Sequence, residues 1–122
     1  MFVENTIKSF KDLIVWQKGY ELVKKVYKLT SGLPQSEVYA LQSQIRRCVV
    51  SIVSNIAEGS NRKTRKDYCN FLHMSYGSAG ELETQLFLCR DLYNLDVEEC
   101  LLLLTEISKM LRVFINKLEP SN

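Results

Sequence analysis

The sequence predicts an all-α fold, an antiparallel up-down-up-down bundle of four helices. Three observations carry this. Apolar residues recur at three- and four-residue spacing through four long segments, and no segment alternates with the two-residue period of a strand. The periodicity fails only at SGLPQS (31–36), EGSNRK (58–63) and YNLD (93–96), where Gly, Pro, Ser and Asn cluster. Short connections between long amphipathic helices make neighbours antiparallel. The expected helices span about 11–31, 37–58, 64–93 and 97–118 of a single domain, 1–122.

In the first helix Leu13, Trp16, Tyr20, Val23 and Tyr27 form the expected core stripe, with Asp12 or Ser9 available to cap its start. A second row, Val15, Leu22, Val26 and Leu29, lies roughly 120° away at 100° per residue. One four-helix core does not need both rows. The third helix has Thr64 as its N-cap, with Asp67 at the capping-box position. Its core face runs through Tyr68, Phe71, Leu72, Ser75, Ala79, Leu82, Leu86, Cys89 and Tyr93. The middle of that helix, SYGSAGE, is small, and each of its glycines costs about 1 kcal/mol relative to alanine. Close approach of a neighbouring backbone is the expected compensation. The fourth helix repeats Cys100, Leu103, Leu104, Ile107, Leu111, Phe114, Ile115 and Leu118, beginning beside Asp96 and closing with Lys117 before Pro120.

The second helix raises a separate question. Leu41, Ile45, Cys48, Val49, Val50, Ile52, Val53, Ile56 and Ala57 spread over an apolar arc of roughly 200°. A bundle helix buries an arc of about 100–140°. The surplus, Val50 and Val53 together with Val15 and Leu22 of the first helix, is expected to be buried between copies of the chain in a closed homo-oligomer. The remaining row, Gln44, Arg47, Ser51, Ser54, Asn55 and Glu58, is short and mostly uncharged in its middle. It is expected to form a structural polar network, with Arg47 reaching Glu58 or Glu81, and Asn55 and Ser51 facing Ser75, Ser78 and Ala79.

With 46% hydrophobic and 25% charged residues, 122 residues can bury a core and stay soluble. The longest apolar runs fall short of the roughly 20 residues that cross a bilayer, and Met1–Asn5 begins no signal peptide, so a cytoplasmic protein without membrane contact is expected. Cys48, Cys69, Cys89 and Cys100 stand singly among apolar neighbours and read as buried, reduced thiols. The net charge of +2 is unevenly spread: residues 1–66 hold 12 Lys and Arg against 5 acids, residues 67–122 hold 4 against 9. Packed side by side, the halves attract one another or leave one basic surface for a polyanion.

Enzymatic chemistry has little to stand on, and neither a cofactor nor a small-molecule substrate is evident. The one histidine, His73, lies near the expected core face between Leu72 and Met74 and reads as a structural imidazole. Asn70 stands three residues before it, where a di-iron bundle needs Glu, so no metal set assembles from the pattern. Neither a phosphate loop nor G-x-S-x-G occurs, and Glu81 and Glu83 diverge too far around the helix to share a proton. What does suggest a partner is RKTRK, placing Arg62, Lys63, Arg65 and Lys66 at the turn between the second and third helices, where a ring of copies would repeat them against RNA or DNA phosphates. No aromatic stacking partners lie beside the turn, so base-specific recognition is not expected. A protein-binding scaffold docking through leftover apolar surface is the alternative.

FKDLIVWQKGYELVKKVY, LPQSEVYALQSQIRRCVVSIVSNIAEGSNR and YGSAGELETQLFL together resemble the four-helix-bundle proteins named after the intervening sequences of 23S ribosomal RNA. The matching positions include Trp16, Gln17, Pro34, Glu37, Leu41, Gln44, Arg46, Arg47, Ser51, Asn55, Ala57, Glu58, Gly59, Arg62, Gly77, Ser78, Glu81 and Leu86, while Cys48 and Val49 replace alanines common in relatives. The resemblance implies bundles assembled into a ring or barrel, with homopentamers in the family. It also brings in a relative, the accessory variability determinant of diversity-generating retroelements, similar to a basic pentameric barrel that binds nucleic acid and a reverse transcriptase. A nucleic-acid enzyme is thereby implied as a further partner.

Overall fold

Four helices pack in a ring in the computed structural model, which describes residues 9–119. They are α1 (Ile14–Thr30), α2 (Leu41–Ser60), α3 (Arg65–Tyr93) and α4 (Glu98–Leu118). Each helix packs on its two neighbours in the order α1, α2, α3, α4 and back to α1, the up-down bundle the pattern predicts. The expectations resting on Met1–Asn5 and on Pro120 lie outside the described residues.

The helix starts differ from the expected ones for local reasons. A 3-10 turn, Phe10–Asp12, precedes α1, where the Ser9 hydroxyl accepts the Lys11 N–H at 3.2 Å and the Asp12 carboxylate accepts the Ser9 N–H at 3.3 Å. Before α2, Pro34 holds an extended backbone, Gln35–Glu37 form one 3-10 turn, and Ala40 departs from helical geometry at φ −123°, ψ −103°. Glu37 Oε1 then accepts the Leu41 N–H at 3.2 Å, so the carboxylate caps a helix that begins four residues later than the periodicity suggests. At α3, Thr64 Oγ1 accepts the Asp67 N–H at 3.1 Å as its residue type predicts. The other end of α3 closes on Asn94 at φ 57°, a left-handed position that asparagine tolerates.

Glu37 also accepts the Tyr93 hydroxyl, joining the α1–α2 connection to the end of α3. The Tyr93 bond first, and the Leu41 N–H second, hold the Glu37 carboxyl below the usual carboxylate range. A depressed carboxyl contributes stability that is fully present above its unfolded value and is lost as pH falls through the folded value. Wild type is therefore expected to exceed Glu37→Gln in denaturant midpoint at neutral pH, with the gap closing through the acidic carboxylate range. A gap that stays constant with pH counts against the carboxylate as its source.

Leu22 and Val26, Ile45, Val49, Ile52 and Ile56, Leu72, Leu82 and Leu86, and Leu104, Ile107 and Leu111 fill the core from the four helices in turn. The two apolar rows of α1 exchange the roles expected of them. Val15 and Leu22, read as oligomer contacts, are inside the monomer, whereas Tyr20 is 50% and Tyr27 40% exposed. Gly19 explains the rotation. It lies on the Val15–Leu22 side, and a Cβ there would stand 2.7 Å from Val53 Cγ1, so only glycine lets that side of α1 settle against α2. Val53 is accordingly half-buried, while Val50 remains on the surface at 36% exposure.

The small stretch of α3 also divides. Ser75 and Ala79 are buried, and Ser75 Oγ donates to the Ile52 carbonyl at 2.8 Å, so α2 does approach closely here. Gly77 and Gly80 take no part in that approach: a Cβ on either would meet nothing within 4 Å. Lys18–Glu106 and Lys25–Glu99, both at 3.0 Å, close α1 onto α4, and so the opposed charges of the two halves meet within one chain. Such exposed pairs orient more than they stabilise.

Candidate functional site

Gln44, Arg47, Cys48, Ser51, Ser78 and Glu81 line a polar depression of about 420 Å³ between α2 and α3. Ser51 Oγ and Ser78 Oγ lie 2.6 Å apart, and Asn55 Nδ2 donates to the Ser51 carbonyl at 2.9 Å and to its hydroxyl at 3.2 Å. The expected facing of α2 and α3 is thus seen at Ser51 and Ser78. The arginine pairing is not. Arg47 donates to Ser43 Oγ at 3.3 Å, because Glu58 stands three turns further along α2, roughly 16 Å at 1.5 Å per residue, and pairs with Arg62 instead. Glu81 faces Cys48, whose Sγ is 3.7 Å from Oε1 and 3.1 Å from the Ser78 carbonyl. Burial first, then the Glu81 charge, pushes the Cys48 thiol up to about 12. It stays protonated as a hydrogen-bond donor and is no nucleophile.

At one end of the bundle the basic turn meets the last turn of α4. Arg62, Lys63, Arg65 and Lys66 are all exposed. Their freedom differs. Arg62 pairs with Glu58 at 2.9 Å and stacks over Phe71, its guanidinium carbon 4.7 Å from the ring centre. Arg65 reaches across to donate to the Lys117 carbonyl at 2.8 Å. Among the described residues Lys63 and Lys66 have no ion-pair partner. Arg65, Lys66 and Lys117 line an open groove of about 800 Å³ with Cys69, Asn70, His73 and Glu119. This arrangement can hold an extended anion along three cations.

Three features escaped the sequence. Lys117 joins the basic turn because an up-down bundle sets the start of α3 beside the end of α4, a consequence the topology alone contained. His73 lies outside the core: its side chain is 51% exposed, and Nε2 is 2.9 Å from Glu119 Oε2. Arg46 ties α2 to the end of α1, its Nε donating to Thr30 Oγ1 at 3.0 Å and Nη2 to the Tyr27 carbonyl at 3.1 Å and Ser31 Oγ at 3.2 Å. The four cysteines are free and buried, and burial raises the Cys69, Cys89 and Cys100 thiols as well.

Among solved structures the chain is similar to a protein of unknown function from the S23 ribosomal protein family of Bacteroides thetaiotaomicron, at 27% identity and a TM-score of 0.72, over 84% of this chain and 98% of that one. No curated protein matches. Among the described residues no helix is long and apolar enough to cross a membrane. The model of one family spans residues 11–115, from the turn before α1 to the last turns of α4, and therefore takes in all four helices, the polar depression and the basic turn. The chain belongs to the 23S rRNA-intervening sequence protein family.

Proposed function

We propose that the chain is a non-enzymatic accessory module that holds RNA or DNA by the phosphate backbone, working as a closed homo-oligomer, a pentamer on the family resemblance. The observation that carries the binding is that Arg65, Lys66 and Lys117 line one open groove, with exposed Lys63 three residues before Lys66 at the turn that leads into it. Lysines without an ion-pair partner are available to phosphates, and assembly multiplies them. No stacked aromatic platform lines the groove, which favours backbone over base recognition.

The assembly is supported by an outward stripe on α1 and α2. Arg46 lies over the Tyr27 ring and Val53 beside Gly19, so in this antiparallel register Val50 falls level with Val23, and Trp16 and Tyr20 continue the same surface, their rings 5.1 Å apart. The interface first assigned to Val15, Leu22, Val50 and Val53 is thereby redrawn around Tyr20, Val23, Tyr27, Val50 and the exposed part of Val53. Gly77 and Gly80, whose cost nothing in the monomer offsets, offer a second place where a partner backbone can approach.

Reversing Lys63 and Lys66 to Glu tests the binding without touching a contact of the fold. Filter retention of RNA and duplex DNA is expected to fall, with the salt dependence of duplex binding losing about 0.9 per lost phosphate contact, roughly 2 for one protomer. Unchanged retention sinks the proposal. Retention nearly independent of salt favours the protein-binding scaffold, since apolar docking responds little to ionic strength.

A further inference from the structure

Cys69 and His73 are four residues apart on α3 and so leave the same helix face one turn from each other. Glu119, immediately after α4, turns back toward them. The Cys69 sulfur, an imidazole nitrogen of His73 and a carboxylate oxygen of Glu119 all lie within 4.8 Å of one another. We propose that these three residues form a binding site for a divalent cation of the zinc class, joining the start of α3 to the end of α4.

The donor set narrows the cation. A thiolate, an imidazole and a carboxylate suit zinc or cobalt, whereas magnesium and calcium require oxygen ligands throughout. Around tetrahedral zinc, with bonds of about 2.0–2.3 Å, ligand atoms stand roughly 3.3–3.8 Å apart. The 2.9 Å separation of His73 and Glu119 must therefore open slightly, and the separations from the Cys69 sulfur, at most 4.8 Å, close by no more than about 1.5 Å. His73 and Glu119 can make that adjustment because their side chains are 51% and 47% exposed, while burial anchors Cys69. Glu119 serves both neighbours, pairing with His73 and accepting from the Cys69 thiol, so all three groups converge on one point, where a cation would replace the thiol proton. Three protein ligands leave a fourth position open toward the groove lined by Arg65, Lys66 and Lys117, where water or an anion completes the shell.

Cobalt(II) titration of the purified full-length chain is the test. One equivalent per chain is expected to bring up the near-ultraviolet thiolate-to-cobalt charge-transfer band, which zinc then displaces. Cys69→Ser should abolish the band, and His73→Ala and Glu119→Gln should each weaken cobalt binding by more than the roughly 10–100-fold that loss of an outer-shell partner costs. His73 and Glu119 are exposed, so their variants keep the fold, checked by circular dichroism, and decide the matter even where Cys69→Ser does not fold. Absence of the band in wild type, its persistence in Cys69→Ser, or wild-type cobalt affinity in His73→Ala overturns the site.

Discussion

Leu22→Ala is expected to lower the unfolding free energy by about 3 kcal/mol and the melting temperature by about 10–15 °C. Leu22 is fully buried on the inward row of α1, opposite the core residues of α2 and α4, so truncation loses both transfer energy and packing around the cavity left behind. Val50→Asp should behave in the opposite way. Its side chain is already 36% exposed, and a surface change of this kind alters the fold of one chain by about 0.5 kcal/mol. In the proposed assembly the new carboxylate would instead bury a charge between copies, and the copies should come apart. Thermal denaturation and sedimentation separate the two effects. Wild type sedimenting as a single chain removes the proposed interface, and a Val50→Asp variant that unfolds as readily as Leu22→Ala contradicts the outward position of Val50.

Arg46→Ala is expected to cost about 2–3 kcal/mol, a large loss for a half-exposed side chain. The guanidinium serves three acceptors at the C-terminal end of α1, one of them the hydroxyl of fully buried Thr30, and it lies 4.5 Å over the Tyr27 ring. A cation is favourable at that end of a helix, where carbonyls lack partners. Thr30 Oγ1 would keep its donation to the Val26 carbonyl at 2.7 Å, and the Tyr27 carbonyl its bonds from the Ser31 N–H and hydroxyl, but the Thr30 and Ser31 hydroxyls would each lose a charged donor. Arg46→Lys should recover only part of the loss, since an ammonium cannot span the three acceptors in the fork that a guanidinium provides. Equal denaturant midpoints for Arg46→Ala and wild type would show that the contacts contribute nothing net.

Much of the candidate binding surface was legible because it is local. Lys63 and Lys66 occur within five residues of a helix break, and a break between two helices of a bundle is solvent-exposed whatever the packing. The polar depression was half legible: Ser51, Ser78 and Glu81 do converge, because residues on facing helix stripes meet at levels set by the turn between them. Arg47, expected to reach Glu58 or Glu81, bonds Ser43 instead, and for Glu58 the reason is that angular position around a helix discards height along it. The Cys69, His73 and Glu119 group left no local trace, since its third member is 46 residues from His73 along the chain.

By itself the sequence determined four helices, their order, their antiparallel arrangement and the cap at Thr64, because periodicity, chain breaks and capping side chains act over a few residues; the Ser9 and Asp12 pair offered as a cap for α1 closes the 3-10 turn before it instead. Only the tertiary structure decided which apolar row of α1 faces inward. Both rows have helical spacing and comparable apolar content, so the hydrophobic effect alone does not choose between them. The choice fell to a steric term, the missing Cβ of Gly19 against Val53, which exists only once α1 and α2 are in contact.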